Sequence, residues 1–131
     1  MTTVILVEDD VDSIDVLSQF FQIHGLNVVG MGTNGKEAIE LYEQFHSDIV
    51  IMDVMMPEFD GFYGLEGIKK IDSDAIVIMI TADLSDETHE KLMRLKASKI
   101  FYKPHDLDNI IPTIEEFMQE KSQSTQFQIN T

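Results

Sequence analysis

Four apolar residues followed by an acid, Ile49-Val50-Ile51-Met52-Asp53, constrain this chain more than any other stretch. An unbroken apolar run of this length, rich in β-branched side chains, reads as a strand buried on both faces. Such a strand ends inside a core or at its rim. A carboxylate there is costly unless it is paired, binds a metal or does chemistry. Asp53 therefore calls for a partner; the blander alternative is an acid that caps the loop after it.

The same signal recurs along the chain. Val4-Ile5-Leu6-Val7 is a short buried strand that ends abruptly at Glu8-Asp9-Asp10. Leu26 to Met31, Ala75 to Ile80 (closed by Thr81) and the brief Ile100-Phe101-Tyr102 read as further strands. Helical patterns lie between them. Ile14, Leu17 and Phe21 recur at helical spacing from Val11 to His24, with Gly25 placed as a C′ glycine. Asn34 with Glu37 resembles a capping box for a helix that runs to about Phe45. Pro57 and Asp60-Gly61 punctuate a loop over 54–61, and a short helix from Phe62 to Lys70 is weakened by Gly64 and Gly67. A polar helix spans Ser85 to Leu95. From Leu107 onward, Ile110, Ile111, Ile114, Phe117 and Met118 give the clearest helical stripe; with Pro112 near its start, either the helix begins close to Ile111 or one early hydrogen bond is lost. Ser122 to Thr131 is rich in Ser, Gln and Thr and reads as a frayed tail. The expected organisation is one domain over 1–121 and a flexible tail over 122–131.

Apolar strands alternating with helices predict an α/β fold: a doubly wound, five-stranded parallel sheet with helices on both faces. The flavodoxin-like strand order 2-1-3-4-5 makes strands 1 and 3 neighbours at the switch point, and ligands bind at their carboxyl ends. Glu8, Asp9 and Asp10 then end strand 1, Asp53 ends strand 3, Thr81 ends strand 4 and Lys103 follows strand 5. Two carboxylates about 4 Å apart repel by roughly 4 kcal/mol at an effective dielectric near 20. Either one takes a proton or a cation joins them, and magnesium suits a few carboxylates and water. Magnesium, an ammonium and a hydroxyl around one carboxylate can stabilise a transferring phosphoryl group, with Asp53 as nucleophile. Each member alone has a plainer reading: a helix-capping acid, a strand-end hydroxyl, a solvated lysine. The joint pattern carries the weight. A calcium-binding EF-hand is excluded, because no Gly or Glu falls at the required offsets after Asp10.

Composition narrows the classes. The 131 residues fit one domain, and no run approaches the apolar length of a membrane span. The N-terminus enters a strand at once with no basic segment, so no signal peptide is expected and the cytoplasm is the default location. No Cys is present, which removes disulfides and thiol chemistry. With 24 acids against 9 bases, the net charge of −15 disfavours nucleic acid and favours cations or a basic patch on a partner.

From residue 3 to 121 the chain resembles the receiver domain of two-component response regulators, in the stand-alone, chemotaxis-regulator-like form. The resemblance rests on Ile5-Leu6-Val7-Glu8-Asp9, Asp53-Val54-Met55-Met56-Pro57 with Asp60-Gly61, Thr81-Ala82 and Lys103-Pro104. The strand order above is also that family's own. The resemblance implies that Asp53 is the phosphoacceptor. It implies that Glu8, Asp9 and Asp53 hold magnesium with the backbone carbonyl of Met55. Thr81 would bond a phosphoryl oxygen and shift toward it, Ala82 would leave access, Lys103 would contact the phosphoryl group, and Lys103–Pro104 would be cis. A histidine kinase or phosphotransfer protein would supply the group, and the chain would catalyse only its own phosphorylation and dephosphorylation.

Nothing after residue 121 reads as an output domain. The signal is expected to leave by protein contact through the face of the fourth helix, fifth strand and fifth helix, with no nucleic acid and no membrane involved. That face would carry Lys91, Arg94, Lys96 and Lys99. Three departures from the family stand out. Ile100 occupies the position, three before the lysine, of an aromatic that commonly swings inward; Lys96 and Lys99 replace small glycines; His105 follows Pro104.

Two rival readings remain. Asp10-Val11-Asp12 with Thr81 and Lys103 superficially matches a small aspartyl-phosphate phosphatase, although Asp12 falls in a helix and later acidic motifs are lacking. A receiver-like module that binds without phosphorylation is compatible with Ile100.

Overall fold

The computed structural model describes residues 1–129. Strands β1 (Thr3–Val7), β2 (Asn27–Gly32), β3 (Ile49–Asp53), β4 (Val77–Thr81) and β5 (Lys99–Tyr102) form one sheet in the order β2-β1-β3-β4-β5. Every pairing is parallel. This is the expected topology. The three central strands are almost entirely buried, whereas the edge strands β2 and β5 are partly exposed. The apolar runs were therefore strongest where the sheet is covered on both sides.

Alternation along the strands feeds two cores. One face presents Ile5, Val50, Met52, Val77 and Met79 to the helices α2 (Gly35–Phe45), α3 (Gly61–Ile71) and α4 (Asp86–Arg94). The other presents Leu6, Ile51, Ile78 and Phe101 to Ile14 and Phe21 of α1 (Val11–Ile23) and to Ile110 and Ile114 of α5 (Ile110–Ile129). Each fully buried aliphatic side chain contributes about 1.5–3 kcal/mol of transfer free energy, so these two layers dominate the fold.

Side-chain caps fix where the helices begin. Asp10, Asn34, Asp60 and Ser85 accept from the N–H of Asp12, Glu37, Tyr63 and Thr88 respectively. The cap at Asp60 starts α3 at Gly61, one residue before the expected Phe62. The box at Asn34 is only half reciprocal: Glu37 reaches back to the N–H and hydroxyl of Thr33, not to the N–H of Asn34. Gly35 lets α2 meet α3, since a Cβ there would strike the Asp60 carbonyl oxygen.

A 3-10 turn over His105–Asn109, which no pattern in the sequence announced, leads into α5. Pro112 lies in the first turn of α5, where its missing N–H costs nothing. The helix then continues to Ile129, past the expected boundary at 121. Lys121-Ser-Gln-Ser-Thr-Gln contains neither Gly nor Pro to stop it. Residues 130 and 131, the end of the expected tail, lie outside the described residues. No helix among the described residues is long and apolar enough to cross a membrane.

Candidate functional site

The carboxyl ends of β1, β3, β4 and β5 bring the chemistry to one rim. Glu8 directly follows β1 and Asp53 ends β3; they are 6% and 8% exposed, so both acids are inside the structure and not merely on a solvated edge. Asp9, next to Glu8, is exposed. One donor atom from each of Glu8, Asp9 and Asp53 lies within 4.8 Å of the others. Lys103 follows β5, and its Nζ donates to Asp53 Oδ2 at 2.7 Å and to Glu8 Oε2 at 3.5 Å. Thr81 ends β4 and is fully buried. The Lys103 N–H donates to the Thr81 carbonyl at 2.9 Å, which ties the last two strand ends together. The Lys103–Pro104 bond is cis, as expected.

The electrostatics are those of too many acids for one lysine. Burial first, then the hydrogen bond and repulsion of Asp53, push the Glu8 carboxyl up to about 7 against the pull of Lys103. Burial opposes the charge on Lys103, yet its hydrogen bond and attraction to Asp53, with Glu8 behind, raise its pKa on balance. Lys103 therefore stays an ammonium, while Glu8 holds a proton easily lost near neutrality. Crowded oxygen donors in which one proton stands in for missing positive charge fit a hard divalent cation.

The loop after β3 completes the wall. The Met55 N–H donates to Asp53 Oδ1 at 3.2 Å, so both Asp53 oxygens carry a donor. Gly61 closes the loop: its N–H donates to the Val54 carbonyl at 2.8 Å, and a Cβ would strike the Asp53 carbonyl oxygen. The Asp60-Gly61 pair was visible as a turn signal, but its service to Asp53 was not.

The structure also sorts the acid triplet. Asp10 turns away from the cluster and caps α1, accepting from the Asp12 N–H at 3.2 Å and the Ser13 hydroxyl at 2.8 Å. Those bonds hold its carboxyl below the usual range, the Ser13 hydroxyl foremost. Asp83, two residues past Thr81, donates its N–H to Thr81 Oγ1 at 3.0 Å. A cavity of about 580 Å³ lies elsewhere, at the amino ends of the strands among Tyr42, Asp48, Asp72 and Phe117. It is broad and shares no residue with the rim described above.

Residues 4–115 match the response regulator receiver domain. The chemotaxis protein CheY of Bacillus subtilis is 32% identical over 111 residues, which are 84% of this chain and 92% of that protein. The regulatory protein AtoC of Escherichia coli is 33% identical over 119 residues, 90% of this chain but 26% of AtoC. A probable C4-dicarboxylate response regulator, DctR of Priestia megaterium, is 32% identical over 88% of this chain and 51% of its own length. The chain thus spans a quarter to a half of two of these relatives and nearly all of the third. Among solved structures, a CheX–CheY complex with beryllium fluoride and magnesium from Borrelia burgdorferi superposes with a TM-score of 0.82 at 28% identity, covering 89% of each chain.

Proposed function

We propose that this chain, which belongs to the family of response regulator receiver domains, is a phosphorylation switch with Asp53 as its phosphoacceptor. Phosphorylation of an aspartate in the presence of magnesium is general in that family, and histidine kinases or phosphotransfer proteins are the donors. The observation that carries the assignment to Asp53 is its place: a buried carboxylate at the end of the central strand, 2.7 Å from Lys103 Nζ and within 4.8 Å of two further acids.

The chemistry follows from the groups around it. A carboxylate oxygen of Asp53 forms a bond to phosphorus as the phosphorus–nitrogen bond of a donor phosphohistidine breaks, and the imidazole leaves with the bonding pair. The Lys103 ammonium, already at the carboxylate, meets the negative charge that spreads over the phosphoryl oxygens. The Thr81 hydroxyl has a proton to donate to one of them, since its oxygen accepts from Asp83. Glu8, Asp9 and Asp53, with the backbone carbonyl of Met55, would hold magnesium. Magnesium, when bound, neutralises phosphoryl charge and offsets the repulsion among the acids.

Lys121 of α5 donates to Asp48 at 3.1 Å near the start of β3 and ties the last helix to the sheet. The chain works in the cytoplasm, catalyses only its own phosphoryl transfer and hydrolysis, and signals to a protein target through the face of α4, β5 and α5. Asp10, exposed and committed to its cap, speaks against the phosphatase reading, in which it would be the nucleophile.

Incubation with magnesium and a small phosphodonor is expected to add one phosphoryl group to the intact mass. Asp53→Asn abolishes the adduct and Asp10→Asn leaves it. A wild-type chain that acquires no adduct under these conditions refutes the proposal.

A further inference from the structure

Two chains of bonds leave the site and end on consecutive residues of α4. On the first, Thr81 Oγ1 accepts from the Asp83 N–H at 3.0 Å, and the Asp83 carboxylate accepts from the Thr88 hydroxyl at 2.6 Å and the Ser85 N–H at 2.9 Å. On the second, Lys103 holds Asp53, and its neighbour Tyr102 places a hydroxyl 2.7 Å from His89 Nδ1. The rings of Tyr102 and His89 are nearly parallel, with 6.5 Å between centroids. Thr88 and His89 are adjacent.

The helix that receives both chains is weakly held. Leu92 is its only buried residue. Lys91 over the Phe62 ring, at 4.3 Å, adds a tie to α3. An element with so little apolar anchorage takes its position from its polar ties and opens at low cost. Ile100 shares the face of β5 with Tyr102 but is an apolar, partly buried side chain packed against the core. It has no hydroxyl, so the polar link from this face of β5 to α4 runs through Tyr102.

We infer that Tyr102 and His89 are positioning residues that pass the state of Asp53 to α4. The inference rests on Asp53 being the phosphoacceptor. A phosphoryl group there takes the Lys103 ammonium and the Thr81 hydroxyl as partners. Both are drawn toward it, and both are one step from a bond to α4. The Tyr102–His89 contact opens, and α4 is released as one piece with the residues it exposes.

Hydrogen exchange of α4 peptides in the full chain, with and without beryllium fluoride and magnesium, tests this, with phosphoryl adduct formation measured in parallel. In the wild type, loading speeds exchange across 86–94 about fivefold, the factor carried by one hydrogen bond. Tyr102→Phe, which keeps the ring, and His89→Ala, on an exposed helix face, show fast exchange before loading and change less than about twofold on loading, although the adduct forms as in wild type. A purely structural bond would raise exchange equally in both states and leave the loading effect intact. That result overturns the inference, as does a wild-type α4 whose exchange is unchanged or slowed on loading. A wild type without an adduct overturns the assignment of Asp53 and this inference together.

Discussion

Glu8 carries the site's unspent proton. Its carboxyl is raised from 4.5 to about 7 by burial and by Asp53, so between those values the folded chain holds a proton that the unfolded chain has released. The stabilisation is fully present below about 4.5 and is lost as pH rises through about 7. In metal-free buffer the wild type should therefore lose, relative to Glu8→Gln, on the order of 2 kcal/mol between pH 5 and pH 8. Thermal or urea unfolding of the two proteins side by side measures it, and parallel pH profiles would contradict the shift. Magnesium competes with the same proton, so its apparent affinity should rise over that window. At this scale the sequence was informative only in part. Glu8-Asp9-Asp10 showed three acids at a strand end, but which of them face inward depends on where β1 stops and α1 starts. With β1 ending at Val7 and α1 starting at Val11, the third acid becomes the helix cap.

The two ends of α1 and α4 show what a single side chain does to an element. Both close in the same motif. At α1 the Gly25 N–H donates to the Gln22 carbonyl and the Leu26 N–H to that of Phe21. At α4 the Lys96 N–H donates to Met93 and the Ala97 N–H to Leu92. The residue between cap and strand must be left-handed in each; Gly25 has φ 81° and Lys96 has φ 67°. Glycine adopts that conformation freely and lysine does not, at a cost of roughly 1 kcal/mol. Lys96→Gly is thus expected to stabilise the chain by about 1 kcal/mol, or about 4 °C in Tm, and Gly25→Ala to destabilise it by a similar amount. A lower Tm for Lys96→Gly would mean that its charge matters more than its backbone. The family resemblance marks position 96 as one where glycine is common, but the left-handed φ that explains it is not legible in the residue itself. Helix existence was legible from apolar spacing throughout. Limits set by side-chain caps or by a missing stop, such as Gly61 for α3 and Ile129 for α5, were not. The link between His89 and Tyr102 joins two elements at no recurring spacing, so no pattern could carry it.

Across the whole molecule, the parallel topology decides where charge gathers. Apolar strands that all run the same way put their first polar residues at one rim, which is why the site could be read from strand ends before any geometry was known. The same rule concentrates acids on a chain whose net charge is already −15. Two effects of salt should then separate. Sodium chloride screens the general self-repulsion and raises the unfolding midpoint gradually. Magnesium chloride at matched ionic strength should raise it further, because a cation bound only to the folded site adds about 2.7 kcal/mol at a hundredfold excess over its Kd. Asp9 is the variant to separate them, since it is exposed and its loss opens no cavity. Asp9→Asn should keep the sodium response and lose most of the extra response to magnesium. If the midpoints in the two salts coincide for the wild type, the rim of Glu8, Asp9 and Asp53 is only an acidic surface, and the fold has gathered its carboxylates without giving them a cation to hold.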